Sequence, residues 1–463
     1  MSLLCTIRNP VYPVYPVRIM DMNWFNFKNY KKTKRVIFLT GLSCLISLPV
    51  FAEESLTILY TGSVLGEIKP CGCSEEGDLG GILRRATIIE NERKANKNLL
   101  LLDAGDSFKE PNEQGKLKAK SLIESMTKMK YDAAVIGEQD LIYGEEIINQ
   151  GSFDRWVFSN VEHKNFNPEK ILKYYIKKIG EHTKIAVIGL LGKDLFYLKG
   201  QAGFRIKNPF MELKKTIKEI KTGDKVDIIL LLTHMTKEEA KELFNHKDVD
   251  IIINGHLNEN ERIIAPEIKD NRIMVHARER GQYLGKITLT VNSQRIQNIS
   301  NVYIPLIPAI SDSQLVQTIY DKYNEDAKQL FLNWLKEKKR TKNSPFLSDN
   351  ACEECHEKAY AVWAKSDHAH AFNSIKKASK TFDPECLLCH TTGFKEEGGF
   401  LAENITPNLA DVQCEVCHGS GRNHIADNSK PYGGASKEVC MTCHTRENSP
   451  GFNFSIYWAK IKH

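Results

Sequence analysis

Short apolar runs alternate with amphipathic stretches over roughly residues 56–300. The amphipathic stretches include GGILRRATIIENERK and NPFMELKKTIKEIK, and Pro209 in the second is suited to a first helical turn. Apolar runs of this length, bounded by turn residues and separated by helical patterns, predict an α/β domain with a largely buried sheet over 53–300. The runs are LTILYT (56–61), NLLLLDAG (98–105), YDAAVIG (131–137), KIAVIGL (184–190), VDIILLLTH (226–234) and VDIIINGH (249–256).

Polar residues follow several of these apolar runs. Functional sites of α/β folds lie where strands end in loops, so residues at those positions are candidates for chemistry. The candidates are Ser63, Asp106, Glu138, His234 and His256.

The pattern changes after residue 300. The segment NVYIPLIPAI (301–310) holds two prolines and ends the α/β pattern, and residues 311–340 then predict one long helix with Ser311–Ser313 as its N-cap. We expect its apolar stripe to pack the α/β domain against the C-terminal region, so 301–344 is predicted to be a linker with a long helix. The stripe consists of Leu315, Ile319, Tyr323, Ala327, Leu330 with Phe331, and Trp334.

The N-terminal segment carries the net charge and an export signal. Residues 1–52 account for the whole formal charge of +6, so the remainder is neutral, which argues against a nucleic-acid partner. A basic stretch, KNYKKTKR, precedes the apolar run VIFLTGLSCLISLPV, as in a secretory signal peptide. We predict cleavage near Ala52 and a periplasmic mature chain without a transmembrane segment. The alternative is an uncleaved membrane anchor facing the periplasm, although the run is shorter than the ~20 residues of a spanning helix.

Four C-x-x-C-H sequences lie between residues 352 and 444, and this sequence is the attachment signal for c-type haem. The two thiols add to the haem vinyl groups, and the histidine becomes the proximal iron ligand. Apolar runs are scarce here, so porphyrins must supply much of the buried apolar mass. We predict four covalently bound haem c groups in a mostly helical or irregular domain over 345–463. The sequences are motif 1 (Cys352, Cys355, His356), motif 2 (Cys386, Cys389, His390), motif 3 (Cys414, Cys417, His418) and motif 4 (Cys440, Cys443, His444).

Four further histidines follow residue 345, which is one for each predicted iron. This count favours bis-histidine ligation, with the alternative that one iron lacks a sixth ligand and binds a small molecule. The candidate distal ligands are His368, His370, His424 and His463.

This C-terminal segment resembles a known family. WAKSDHAHAF, CLLCHTTGF, VQCEVCHGSGRNH and CMTCHTRENSPGF are similar to segments of the tetrahaem cytochromes of the hydroxylamine pathway. The resemblance implies closely packed haems that pass electrons between protein partners. It also implies distal histidines from the segments that contain His368, His370 and His424.

Residues 56–300 resemble the calcineurin-like metallophosphoesterases of the 5′-nucleotidase branch. The resemblance is carried by ILYTGSVLGE, GGILRR, LLLDAGDSF, YDAAVIGEQDLIYG, LLTHM and INGHLN. The resemblance implies a sandwich fold and a two-metal site that activates water. This chain departs from the family's site: Ser63 and Leu65 replace Asp-x-His, and Glu138 and Gln139 replace the asparagine and the histidine of Gly-Asn-His-Glu. Asn258 replaces the second histidine of Gly-His-x-His.

These departures make two-metal phosphoesterase chemistry an unfavoured prediction. The alternatives are a single divalent metal, or residues that are relics of the fold and bind nothing. The candidate ligands of the single metal are Asp106, Glu138, His234 and His256.

Cys71 and Cys73 are the thiols that neither the leader nor the haem motifs explain. C-x-C lacks the spacing and the histidine of a haem motif, and a disulfide across one residue is strained and easily reduced. Three alternatives stay open: an inert or simply strained pair, a redox or thiolate-metal centre that exchanges electrons with the haems, and linkage to another chain.

The sequence therefore supports a periplasmic electron carrier whose partners are other redox proteins, either cytochromes or quinol-linked donors. The alternative is an enzyme in which the α/β domain transforms a sulfur compound or a phosphate ester and is coupled to the haems. The sulfur substrate rests only on analogy with a thiohydrolase of the same phosphoesterase family.

Overall fold

The computed structural model describes residues 53–70, 77–193, 195, 204–256, 264–292, 294–338, 341, 343–429 and 432–463. The predicted leader and the residues Cys71, Cys73 and Asn258 lie outside the described residues.

Fifteen strands are found in the described part of the chain. They are β1 (Glu54–Thr61), β2 (Leu99–Asp103), β3 (Ala133–Ala134), β4 (Trp156–Val157), β5 (Val161–His163), β6 (Ile171–Leu172), β7 (Tyr174–Ile179), β8 (Thr183–Leu191), β9 (Phe204–Ile206), β10 (Ile228–His234), β11 (Ile251–Asn254), β12 (Glu267–Lys269), β13 (Arg272–His276), β14 (Tyr283–Asn292) and β15 (Arg295–Pro305).

Fourteen α-helices accompany these strands in the same described residues. They are α1 (Ile82–Ala95), α2 (Glu113–Lys128), α3 (Glu146–Gln150), α4 (Pro209–Gly223), α5 (Lys237–Phe244), α6 (Gln317–Lys336), α7 (Asn350–Glu353), α8 (Glu357–Trp363), α9 (Ala371–Lys377), α10 (Pro384–His390), α11 (Cys414–His418), α12 (Arg422–Ala426), α13 (Lys437–Met441) and α14 (Phe454–Ile461).

Two large mixed sheets form the α/β part. One has the strand order β15-β14-β1-β2-β3-β4-β6 and the other β12-β13-β11-β10-β8-β7, while β5 and β9 pair separately. Neighbouring strands β1, β2 and β3 are parallel, as are β8, β10, β11 and β13. Their carboxyl ends therefore lie at common sheet edges, which is where sites form in such folds.

The alternation of side chains along β8 shows how the layers pack. Ile185 and Val187 point into the core shared with the first sheet, whereas Ala186 and Ile188 point into the core beneath α4 and α5. Because successive residues of a strand face opposite sides, a strand buried on both faces needs a continuous apolar run. The predicted α/β sandwich is thus confirmed, and each fully buried Leu or Ile contributes about 1.5–3 kcal/mol.

Helix α6 joins two cores. Ile319, Tyr323 and Ala327 pack in the core of the α/β sheets, and Phe331 packs one or two turns later in the core of the haem-motif region. Residues Phe51–His463 accordingly form one compact unit. The expectation that this stripe docks the two regions agrees with these contacts.

The predicted N-cap of α6 was wrong. The helix begins at Gln317 rather than near Ser311–Ser313, and Val316 precedes it without a side-chain cap. The hydroxyl of Ser313 instead donates to Glu90 of α1 at 2.5 Å and accepts from the backbone N–H of Leu315 at 3.0 Å. A tertiary contact to α1 thus takes the hydroxyl that would have capped the helix.

Within the described residues, no helix combines the length and the apolar character needed to cross a membrane.

Candidate functional sites

Four polar side chains converge where strands of both sheets end. Asp106 follows β2, Glu138 follows β3, His234 ends β10 and His256 follows β11. One ligand atom from each of the four lies within 4.8 Å of the others. The strand-end candidates from the sequence are thus brought together in one cluster, with the exception of Ser63.

The cluster is tight enough to share one ion. His234 Nε2 lies 2.8 Å from Glu138 Oε2 and 3.3 Å from Asp106 Oδ2, and His256 Nδ1 lies 3.3 Å from Glu138 Oε1. The two imidazole rings are 5.4 Å apart between centroids and nearly perpendicular, at 80°. Two imidazoles and two carboxylates are ligands that suit divalent zinc, iron or manganese.

His234 is held in the orientation of a metal ligand. Its Nδ1 lies 2.8 Å from the backbone carbonyl of Ala104, so Nδ1–H donates there and Nε2 is directed at the carboxylates. The ring is completely buried. Burial alone would lower the pKa of His234, but the carboxylates of Asp106 and Glu138 outweigh burial and hold that pKa well above its ordinary value.

The buried carboxylate of Asp140 organises the loops that carry the ligands. Its Oδ1 accepts the backbone N–H groups of Ser107 and Phe108 at 2.8 and 3.0 Å, and its Oδ2 accepts those of Asp106 and Gly137, both at 2.8 Å. Burial raises the pKa of Asp140, as does neighbouring Asp106, whereas the bond from Gly137 lowers it. Asp140 therefore ties the loop after β2 to the loop after β3.

The backbone is also closely fitted around Asp106. This residue has a φ of 56°, in the left-handed region. A Cβ on Gly137 would lie 2.0 Å from Asp106 Oδ1, so glycine is required there. Asp106 Oδ1 accepts the backbone N–H of Gln139 at 2.9 Å.

The loop after β1 has Ser63 and Leu65 at the positions where the resemblance to metallophosphoesterases predicts Asp-x-His. The backbone N–H of Ser63 donates to Gly105 at 2.6 Å and that of Leu65 donates to the backbone carbonyl of Asp106 at 3.0 Å. The Ser63 hydroxyl donates to the Gly255 carbonyl at 2.6 Å, and the Leu65 side chain has no ligand atom. The described residues therefore fit one divalent ion, held by Asp106, Glu138, His234 and His256, and do not fit a second ion beside it.

The haem motifs lie on short helices. Helices α10 and α11 each carry a complete motif, so the two thiols are three residues apart on one helical face. The eight cysteines of the four motifs are free thiols. In motifs 2 and 3 the thiol pair is therefore presented beside its histidine, as thioether attachment requires.

Three of the candidate distal histidines face a proximal histidine from a different motif. Two imidazoles on opposite sides of one iron have ring centroids about 6 Å apart, given metal–nitrogen bonds of about 2 Å. The observed separations fit this value, and the residues therefore fit haem iron. They are 6.3 Å for His356 and His424, 6.0 Å for His444 and His368, and 5.8 Å for His418 and His463.

Several of these imidazoles are oriented through Nδ1. His390 lies 2.7 Å from the Ala371 carbonyl, His418 lies 2.7 Å from that of Gly433, and His463 lies 3.0 Å from that of Ile461. An Nδ1–H bond to a carbonyl leaves Nε2 as the donor to a metal.

The proximal histidine of motif 2, His390, differs from the other three proximal histidines. No imidazole in the described part of the chain faces His390 as the other proximal histidines are faced. His370 lies at the end of the turn Asp367–His370, where it interacts with Asp411.

Neighbouring thiols show which haem motifs lie next to each other in space. Cys352 of motif 1 lies near enough to Cys414 of motif 3 for that thiol to raise its pKa, and Cys443 of motif 4 raises the pKa of Cys389 of motif 2 in the same way. Cys417 of motif 3 interacts with motif 4. The motifs therefore neighbour one another in the order 1, 3, 4, 2.

Sequence reasoning missed two sets of residues. Asp140 stands one residue after Gln139 in the stretch GEQD, and its position after a buried strand was the available signal. Gln114 and Lys118 of α2 reach the motif 2 helix, and nothing in their local sequence indicates this.

Comparisons with known proteins identify two different relationships. Residues 351–419 match the family described as "Cytochrome c554 and c-prime". Cytochrome c-554 of Nitrosomonas europaea is 35% identical over 103 residues, which is 19% of this chain and 44% of that protein. The resemblance of the C-terminal segment to this cytochrome family is confirmed, and the family carries covalently bound haem c.

The N-terminal part is similar to nucleotidases. The snake venom 5′-nucleotidase of Naja atra is 27% identical over 224 residues, 44% of this chain and 41% of that protein. The structure of a 5′-nucleotidase precursor from Thermus thermophilus matches with a TM-score of 0.53 and 19% identity, over 60% of this chain and 59% of that one. The chain thus spans less than half the length of cytochrome c-554 and of the venom nucleotidase. The predicted phosphoesterase-like fold is confirmed.

Proposed function

We propose that this chain is an exported multihaem c-type cytochrome that carries electrons, with a 5′-nucleotidase-like domain that holds one divalent ion rather than two. The observation that carries the proposal is the set of three facing imidazole pairs, each linking a C-x-x-C-H histidine to a histidine of another segment. When bound, haem c supplies one-electron redox chemistry.

The arrangement of the motifs supports transfer between haems. The close approach of thiols from motifs 1 and 3, and from motifs 2 and 4, places the attachment points of these haems side by side. The chain's residues would anchor each porphyrin through two thioethers, and Nδ1 hydrogen bonds fix three of the imidazoles, those of His390, His418 and His463. Such anchoring limits reorganisation when the charge of the iron changes.

A haem count tests the cytochrome proposal. We expect the purified chain to contain four haems by pyridine haemochrome assay and to take up four electrons in a reductive titration. Fewer than four haems, or haems that do not change oxidation state between dithionite and ferricyanide, would contradict it. A preparation of Cys352→Ala/Cys355→Ala is expected to contain three.

The one-ion proposal for the α/β domain has its own test. Asp106, Glu138, His234 and His256 would hold the ion, and metal analysis should find one equivalent of a first-row metal beyond the haem iron. Glu138→Ala is expected to remove it, while the control Glu146→Ala alters a carboxylate that pairs with Lys116 elsewhere. Cleavage of a generic phosphate ester above background after manganese or zinc supplementation would contradict the loss of two-metal chemistry.

We also propose that the chain is periplasmic and that it exchanges electrons with other redox proteins. A further part of the proposal concerns the pair Cys71 and Cys73. In the sequence the pair lies between β1 and α1, and β1 ends at the sheet edge that carries Asp106. We propose that it is a thiol or disulfide centre that exchanges electrons with the haems. If Cys71→Ser and Cys73→Ser leave both the thiol titration and the haem reduction kinetics unchanged, that role is wrong.

A further inference from the structure

The helix that carries motif 2 is joined directly to the α/β domain. The buried amide of Gln114 on α2 donates to Asp383 Oδ1 at 2.8 Å and to the hydroxyl of Tyr323 on α6 at 3.1 Å. One turn further along α2, Lys118 Nζ lies 2.5 Å from Glu385 Oε1. We call these five residues the motif 2 contact surface.

The contact surface reaches the haem attachment point. Asp383 is the N-cap of α10 and accepts the backbone N–H of Glu385 at 3.2 Å. Glu385 directly precedes Cys386, and Leu387 is completely buried in the core that Phe331 of α6 shares. The position of the first thiol of motif 2 is therefore set by contacts with α2 and α6.

Helix α2 is also connected to the metal-ligand cluster. Asp106 is followed by the loop 107–112, whose backbone is held by Asp140 and which ends at Asn112, the N-cap of α2. Asn112 accepts the N–H of Gly115 at 2.8 Å. A single short segment therefore runs from the cluster to Gln114 and Lys118.

The charges at this surface act on the haem of motif 2. The oxidised haem carries one more positive charge than the reduced haem, so a nearby cation favours reduction and a nearby anion opposes it. The Lys118 ammonium is largely shielded, with 12% of its side chain exposed, so water screens it less than it screens a surface charge.

We propose that the haem attached at Cys386 and Cys389 is the one whose reduction potential the α/β domain sets, with Gln114 positioning its helix and Lys118 and Glu385 acting on that potential through their charges. The proposal rests on the haem attachment in the proposed function and assigns to α2 a role in tuning that haem.

Two charge variants on opposite sides of the pair test the assignment. In a spectroelectrochemical titration of the full chain, Lys118→Met should lower the potential of one of four haem components and Glu385→Gln should raise the potential of the same component. We expect about a tenfold change in its oxidised-to-reduced ratio at fixed potential, or about 59 mV for one electron. The matched control is Lys116→Met on the same helix α2, which breaks an ion pair to Glu146 of α3 and should leave all four components unchanged.

The outcomes separate this inference from the proposed function. Equal shifts in all four components, shifts of the same sign in both variants, or a shift as large in Lys116→Met would overturn the inference. Four haems by pyridine haemochrome with no shift in either variant would also overturn it while leaving the cytochrome proposal intact. Fewer than four haems in the unmodified chain would instead contradict the cytochrome proposal itself.

Discussion

Replacement of Asp140 by asparagine tests whether one buried carboxylate holds the candidate metal site in shape. The side chain is completely buried, and its two oxygens accept four backbone N–H groups from the loops after β2 and β3. In Asp140→Asn, whichever way the amide is placed, its NH₂ group faces two of those donors. Each buried N–H left without an acceptor costs about 1–3 kcal/mol, so the loss of stability should be about 2–6 kcal/mol.

Urea unfolding of the full haem-loaded chain, followed by far-UV circular dichroism, measures this cost. With a slope of about 3 kcal/mol per molar urea, the α/β transition should move down by about 0.7–2 M. Hydrogen exchange read by mass spectrometry should also show faster exchange in peptides that cover residues 104–112. The control Asp326→Asn alters an exposed pair with Lys322 and should cost less than about 1 kcal/mol. An unchanged midpoint together with unchanged exchange in Asp140→Asn would refute the organising role.

Three further outcomes are expected. His463→Ala should convert one haem from six-coordinate low-spin to five-coordinate high-spin in electron paramagnetic resonance spectra, and an unchanged spectrum would exclude the pairing of His463 with His418. Zn²⁺ binding should release a proton at neutral pH, because the carboxylates hold the pKa of His234 well above its ordinary value and the ion must displace that proton. The Zn²⁺ affinity should therefore rise with pH. Calorimetry in buffers of different ionisation enthalpy measures the released proton, and a binding heat that is the same in all buffers would contradict the prediction. Phe331→Ala should destabilise the chain by about 3–5 kcal/mol because it empties a buried site in the haem-motif core, and a change below about 1 kcal/mol in thermal unfolding would contradict that packing.

The sequence predicted the α/β layers because their determinants are local. The run KIAVIGL is apolar at every position except its first residue and a glycine, and the structure buries both faces of β8, as that pattern requires. The strand-end rule likewise selected Asp106, His234 and His256, since parallel strands bring their carboxyl ends to one edge. The N-cap of α6 failed because a contact with Glu90, more than two hundred residues away, takes the hydroxyl of Ser313.

The partners of the haem histidines could not be predicted in the same way. The sequence shows four spare imidazoles for four motifs, but their assignment depends on the path of the chain between short helices. His424 faces His356 across 68 residues and His368 faces His444 across 76, whereas the spare histidine nearest in sequence to His390, namely His370, does not face it. The number of spare histidines therefore did not predict which imidazoles face each other.

The replacement of the family's asparagine by Glu138 is best understood through charge. A neutral amide suits a site in which two divalent ions already supply four positive charges, whereas a buried site with one ion must balance only two. Asp106 and Glu138 together supply two negative charges, which neutralise one divalent ion in a region where unbalanced charge is costly. Without the ion, protonated His234 partly balances the same carboxylates. In the proposed one-ion site, the absence of ligands at Ser63 and Leu65 and the presence of a carboxylate at Glu138 are thus consistent with each other in charge and in ligand number.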